Sequence, residues 1–224
     1  MNRREFIAST TAALAGAARS ARLAGQARAR PLDLAALADS QRLALFNRTA
    51  SRLVDGARTG VRLSAAGGDG LAFIPDAQLA NGTIEVDIRG KDVAQQSFVG
   101  VAFHGVDREA FDAVYFRPFN FKAADPTSRG HAVQYESLPT YSWDKLRADE
   151  PGKYENAVSP VPDPNGWFHA RITIDDTKVS VYVAGATTPS LVVTTLNGRR
   201  TGRVGIWVGN GSGGDFANLT IAPA

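Results

Sequence analysis

Two short stretches place the chemically capable side chains of this chain at alternate positions. In Asp112–Pro118, Val114 and Phe116 fall on one face and Tyr115 and Arg117 on the other. In His131–Glu136, Val133 and Tyr135 oppose Gln134 and Glu136. A period of two marks β-strands with one buried face. The opposite face carries Tyr, Arg, Gln and Glu rather than the Lys, Thr and Ser of an idle surface. Such a set suits a sugar ligand. Aromatic rings stack on the apolar faces of pyranoses, while Arg, Gln and carboxylates make planar hydrogen bonds to paired hydroxyls.

The same count applies to the other strands. Ile84, Val86 and Ile88 point inward and leave Glu85, Asp87 and Arg89 opposite. Val99, Val101 and Phe103 leave His104, and Ile206 and Val208 leave Trp207. If these strands share one sheet, its outer side gathers carboxylates, aromatics, an Arg and a His. Glu136 with Glu85 or Asp87 would then form a general acid/base pair, with His104 as proton shuttle. The plainer alternative is that these carboxylates are solvated and do nothing chemical. Tyr115, Asn120 and Gln134 are candidate substrate contacts. Arg117 is either a bidentate clamp or the structural partner of Glu136 or Asp112. Trp207 is a stacking platform or a cover for a second layer, and Trp143 is a further aromatic candidate. His104, His131 and His169 lie on different strands without metal-ligand spacing, so zinc is not expected. The turns Gly211–Asp215 and Asp175-Asp176 could hold a structural calcium through carboxylate and backbone oxygens, or be plain turns.

These residues need a sheet to position them. From Phe46 onward, about a dozen short strands are separated by turn signals at intervals of roughly 8–12 residues, and no segment keeps a helical period. The clearest strands are Thr83–Arg89, Phe98–His104, Phe168–Asp175, Val179–Val183, Leu191–Leu196, Val204–Val208 and Phe216–Ile221. Turns include Ala66–Gly70, Asn81-Gly82, Asn197-Gly198 and Asn210–Gly214. This rhythm indicates a β-sandwich or barrel. Residues 137–166 break it with five prolines, and Tyr141, Trp143 and Tyr154 argue for a packed loop. Loops of that length over a sheet commonly line binding sites. An ordered loop with Trp143 plugging the edge of the core is the alternative.

The chain has 224 residues, no Cys, and a formal charge of +3, with a pI near 9.4. Its basicity is local. Residues 1–29 hold five arginines and one glutamate; without them 20 Lys+Arg face 21 Asp+Glu, a charge of −1. No basic surface remains to suggest nucleic-acid binding. Asn2-Arg-Arg-Glu-Phe-Ile-Ala-Ser9 followed by an Ala-rich run resembles a twin-arginine export signal, although the usual Ser/Thr before the pair and the later Lys are missing. Cleavage fits after Ala17 or, preferably, after Ala29. The expectation is a periplasmic or secreted protein, with an N-terminal helix or basic tail as the alternative. Residues 30–45 read as an arm or linker and 46–224 as one domain. No later segment has the ~20 apolar residues of a membrane span, so none is expected once the signal is removed. Without Cys, disulfides and thiolate chemistry are excluded.

The order Asn81-Gly-Thr-Ile-Glu-Val-Asp87, Phe98-Val-Gly-Val-Ala-Phe103, Val179-Ser-Val-Tyr-Val183, Gly202-Arg-Val-Gly-Ile-Trp207 and Asp215-Phe-Ala-Asn-Leu219 resembles the concanavalin A-like lectin/glucanase superfamily. It is nearest to bacterial exported proteins close to laminin-G-like and 3-keto-disaccharide hydrolase domains. The resemblance spans about Phe46 to Ile221. It implies an all-β fold, a two-sheet antiparallel jelly roll that meets carbohydrate on a concave sheet. The activity implied is either glycoside cleavage of the keto-disaccharide type or lectin-like binding, with a structural or adhesive surface domain as a further alternative. The laminarinase-type strand Glu-x-Asp-x-x-Glu is matched only by Glu85-Val-Asp87-Ile-Arg-Gly90. Gly stands where the second Glu belongs, so that chemistry does not carry over.

Overall fold

The computed structural model describes residues 29–224, so the twin-arginine motif lies outside the described residues. The elements run β1 (Arg30–Pro31), α1 (Leu34–Asp39), β2 (Ala44–Phe46), β3 (Ala50–Asp55), β4 (Arg58–Leu63), β5 (Gly70–Leu79), β6 (Gly82–Arg89), β7 (Val99–Gly105) and β8 (Asp112–Phe116). They continue with α2 (Pro118–Phe121), α3 (Pro126–Arg129), β9 (Val133–Ser137), α4 (Trp143–Asp149), β10 (Glu155–Asn156) and β11 (Phe168–Asp175). The last are β12 (Lys178–Val183), β13 (Leu191–Thr194), β14 (Gly202–Val208) and β15 (Gly214–Pro223).

Alternating sequence makes these strands and also decides their inner faces. Along β6, Ile84, Val86 and Ile88 are fully buried while the intervening residues are half-buried, and β11 repeats the pattern. The strands form two antiparallel sheets. One has eight strands in the order β13-β12-β11-β6-β15-β4-β3, with β1 also paired to β15; the other has seven, β10-β9-β8-β7-β14-β5-β2. The inner faces meet in one apolar core in which Phe116 of one sheet packs edge-on against Phe168 of the other at 5.0 Å.

Residues 30–45, read as an arm or linker, are woven into the sandwich. β1 pairs with β15, and β2 pairs with β5. Asp33 caps α1 by accepting from the Ala36 N–H at 2.9 Å, and Leu34 inserts into the core.

Glu85 and Asp87 lie on β6 of the eight-stranded sheet, whereas Tyr115, Gln134, Glu136 and Trp207 belong to the seven-stranded one. The expectation that all these strands share a sheet is therefore corrected. Period two assigns a residue to a face of its own strand but carries no information about which sheet that strand joins. A second difference is that β7, β8 and β9 are buried on both faces. Their outer side is covered by a second apolar cluster (Leu71, Phe73, Phe111, Tyr115 and Trp207, flanked by Phe98 and Leu138) and by residues 137–166.

Candidate functional site

The strand register sets out the site floor. Across the outer face of the seven-stranded sheet, Trp207 of β14 pairs with Gly100 of β7, Gly100 with Tyr115 of β8, Tyr115 with Gln134 of β9, and Gln134 with Glu155 of β10. Glycine at 100 is required here. A Cβ would lie 2.2 Å from the Val114 carbonyl oxygen and 2.7 Å from the Tyr115 Cβ. Its absence lets Tyr115 and Trp207 close over the gap to 4.8 Å between rings. Glu136 stands two residues beyond Gln134 on the same face.

Above this floor is a cleft of about 370 Å³ whose walls include Tyr115, Arg117, Glu136, Trp143, Trp207 and Asp69. Seven of the ten expected site residues are thereby placed around or under it. Tyr115, Arg117, Asn120, Glu136, Trp143 and Trp207 line it, and Gln134 supports it from below. Tyr115 Oη donates to Gln134 Oε1 at 3.1 Å. The Arg117 guanidinium donates to Tyr115 Oη at 2.8 Å, to Gln134 Oε1, and to the His131 carbonyl at 2.9 Å. Asn120 Nδ2 donates to the same carbonyl at 3.4 Å. Arg117 is thus neither paired with Glu136 nor with Asp112. Its neighbouring carboxylate is Glu155, at 3.9 Å. Burial lowers the Arg117 pKa, and the same cause, with the Glu136 charge, raises Tyr115 well above its usual value.

Residues 137–166 supply the roof. α4 carries Trp143, 46% exposed at the cleft edge, and Arg147, whose guanidinium lies 5.1 Å from the Trp143 ring centroid. Arg147 forks onto Glu155, with Nε to Oε1 at 2.9 Å and Nη2 to Oε2 at 2.6 Å. Burial alone would raise the Glu155 carboxyl, but Arg147, His131 and Arg117 hold it below the usual range. Trp207 is only 3% exposed, and its Nε1 has no partner among the described residues. Trp143 therefore offers the more open aromatic face.

Glu136 is 2% exposed. Burial pushes its carboxyl up to about 8, the Asp69 charge adds to this, and Arg117 and the Trp143 backbone N–H oppose it. Asp69 was missed in the sequence because it lies in the Gly67-Gly-Asp-Gly70 turn, read only as a turn. The residue as a whole is exposed, yet its crowded carboxyl is raised by burial, with Arg48 opposing. A charged residue set among three glycines was the available signal. His131, Phe98 and Phe119 also line the cleft without having been singled out as site residues.

Three expected residues lie elsewhere. Glu85 and Asp87 face outward from the eight-stranded sheet. There Asp87 accepts from His169 at 2.9 Å, from Asn218 at 2.8 Å and from Arg58 at 3.3 Å. Burial would raise Asp87, but these three donors lower it, and the hydrogen bond to Asp87 raises His169. His104 takes a positive φ of 50° and turns into the interior. Its Nδ1 lies 3.2 Å from Asp112 Oδ2 and its Nε2 3.0 Å from the Ala80 carbonyl. Asp112 is also held by Ser137 and by Arg199 at 2.7 Å. The proposed acid/base partners and shuttle are therefore not brought to Glu136.

Among the described residues no group of three His, Asp or Glu side chains comes together as a metal site, and no helix is long and apolar enough to cross a membrane. In the Gly211–Asp215 turn, the Asp215 carboxylate is already occupied by Arg62 at 2.6 and 2.9 Å and by Arg89 at 2.7 and 3.0 Å. That residue fits calcium poorly.

No family model matches the chain, and no curated protein matches it. Solved structures do. A galectin-like protein of unknown function from Bacillus subtilis superposes with a TM-score of 0.56 at 11% identity, covering 86% of this chain and 94% of the other. The carbohydrate binding module CBM66 from Bacillus subtilis gives 0.53 at 14% identity, over 81% and 93%. The exoplasmic/lumenal domain of VIP36 in its Ca2+/Man-bound form gives 0.52 at 11%, over 79% and 81%. At these identities the likeness establishes architecture alone: the chain folds as a two-sheet antiparallel jelly roll.

Proposed function

We propose that the cleft takes a carbohydrate and that Glu136 moves a proton there, in glycoside cleavage of the keto-disaccharide type. The observation that carries this reading is a carboxyl buried in the cleft wall and pushed up to about 8, beside a ready-made Tyr115–Arg117–Gln134 network. A group titrating near working pH is an effective proton carrier. In a 3-keto sugar the carbonyl acidifies the C2–H. Glu136 as carboxylate takes that proton, the C1=C2 bond forms, and the C1–O bond breaks. The departing oxygen receives a proton from the acid just formed, and water then adds to the double bond. One carboxyl suffices, which suits a site from which Glu85, Asp87 and His104 are absent. Gln134 and Arg117 hold the floor, and Trp143 supplies the open stacking face. Incubating the protein with 3-keto-disaccharides and plain glycans, and analysing products by mass spectrometry, tests it. Released monosaccharide supports the reading; intact substrate across the panel removes it.

A non-catalytic lectin-like module is the second reading. The polar floor residues are bonded to one another before any ligand arrives, and structural neighbours include a carbohydrate binding module and a mannose-bound domain. Measured glycan binding without turnover favours it. Neither sugar binding nor turnover would leave a structural or adhesive domain. Residues 1–29 are proposed to direct export to the periplasm or beyond. A structural calcium would have to use the Asp175-Asp176 turn rather than Asp215. A higher Tm on adding calcium to chelator-treated protein would support it.

A further inference from the structure

We propose that the cleft is the polar half of a two-part site, whose other half accepts an apolar group about one ring in size. The ligand is then a glycoside with an apolar aglycone. This rests on the reading that the cleft binds a sugar.

A second cavity of about 170 Å³ adjoins the cleft, and Asp69 and Trp207 line both. Its floor is Leu71, Phe111 and Trp207, each at most 3% exposed, with half-buried Phe46 at one side. The register makes the two halves continuous. Phe46 pairs with Leu71, Leu71 with Trp207, Trp207 with Gly100 and Gly100 with Tyr115, all in one row across five strands. From Tyr115 to Leu71 is three strand spacings, ~14 Å, room for a sugar ring and one further ring end to end.

The lining chooses the class of group. A cavity of about 150 Å³ walled by Leu and Phe accommodates a benzene-sized molecule. At the rim Asn47 Nδ2 donates to the Gly67 and Asp69 carbonyls at 2.7 and 3.0 Å, and exposed Arg108 and Glu109 contact each other at 3.3 Å. Asp69 and Trp207, whose Nε1 has no partner among the described residues, belong to the wall shared with the cleft. A second sugar would bury hydroxyls on Leu71 and Phe111 without partners, which is costly. An apolar ring meets no such cost.

The test is calorimetry with matched methyl and p-nitrophenyl glycosides of glucose, galactose and mannose, in both anomers, on the wild type and Phe46→Ala. NOEs from the nitrophenyl ring are recorded on the wild type, so the outcome does not depend on the variant folding. The p-nitrophenyl member should bind about tenfold more tightly, the advantage should vanish in Phe46→Ala with methyl glycoside affinity unchanged, and the ring should show NOEs to Leu71 and Phe111. Equal affinities within each pair, or a nitrophenyl ring without those NOEs, overturn the second half while leaving the sugar cleft standing. No binding by any member overturns the sugar reading and this one with it.

Discussion

Glu136 faces outward on its strand and is nevertheless buried, because a loop closes over it. Its carboxyl titrates at about 8 in the folded chain against a usual 4.5. Between these values the folded state holds a proton that the unfolded state has lost. The associated stability is fully present below about 4.5 and disappears as pH rises through 8. Glu136→Gln should remove that decline, leaving the variant more stable than the wild type at pH 9 by more than about 1 kcal/mol. Urea titrations at pH 5 and pH 9 check this, and parallel losses in both proteins would place the titration elsewhere. If Glu136 is the base, kcat/KM should rise with pH through about 8. Glu136→Gln should lower turnover at least ~100-fold with little change in sugar affinity, whereas a lectin would register only the affinity. Arg117→Met would remove the charged donor shared by Tyr115 Oη, Gln134 Oε1 and the His131 carbonyl, leaving only the Tyr115–Gln134 bond and the long Asn120 contact. A loss of about 2–3 kcal/mol is expected, read as a lower urea midpoint; an unchanged midpoint would make Arg117 purely a ligand contact.

At the scale of elements, the cleft is assembled from turns as much as strands. The buried Arg48 guanidinium donates to the Asn47 and Gly68 carbonyls at 2.6 Å each, to Gly209 at 3.0 Å and to Ser212 at 3.2 Å. It thereby ties the turn bearing Asp69 to the turn after β14. Glycine at 70 is the consequence, since a Cβ there would fall 2.3 Å from Arg48 Cγ. Arg48→Met should lower the Tm and, by loosening Asp69, let the Glu136 pKa fall. NMR titration of the Glu136 side chain distinguishes this from simple destabilisation, because a lower Tm with an unmoved titration would show Asp69 held by other means. Legibility differed among elements for a physical reason. Phe168–Asp175 was readable to the residue because one face is apolar and the other half-exposed. Residues 137–166 have no such period. Their fold depends on distant partners, the Arg147–Glu155 fork and the Tyr135 N–H to Tyr154 carbonyl bond at 2.8 Å, which no local pattern announces.

At the scale of the molecule, the two sheets divide the polar residues into two unrelated sets. Asp55, Asp87, Arg89, Trp167, His169 and Asp215 build a paired network on the eight-stranded sheet, away from the cleft. Asp87→Asn should therefore leave glycan binding and turnover unchanged while lowering the His169 pKa, whose rise comes from Asp87. Loss of turnover in this variant would return Asp87 to the site. The sequence alone determined the all-β class, most strand positions, and the shared face of Tyr115, Arg117, Gln134 and Glu136, because each follows from alternation along a strand. Only the tertiary structure decided that β6 joins the other sheet, that His104 turns inward, and that Asp69 approaches Glu136. Those outcomes depend on strand order and turn packing, where contacts between residues far apart in sequence override any period within a strand.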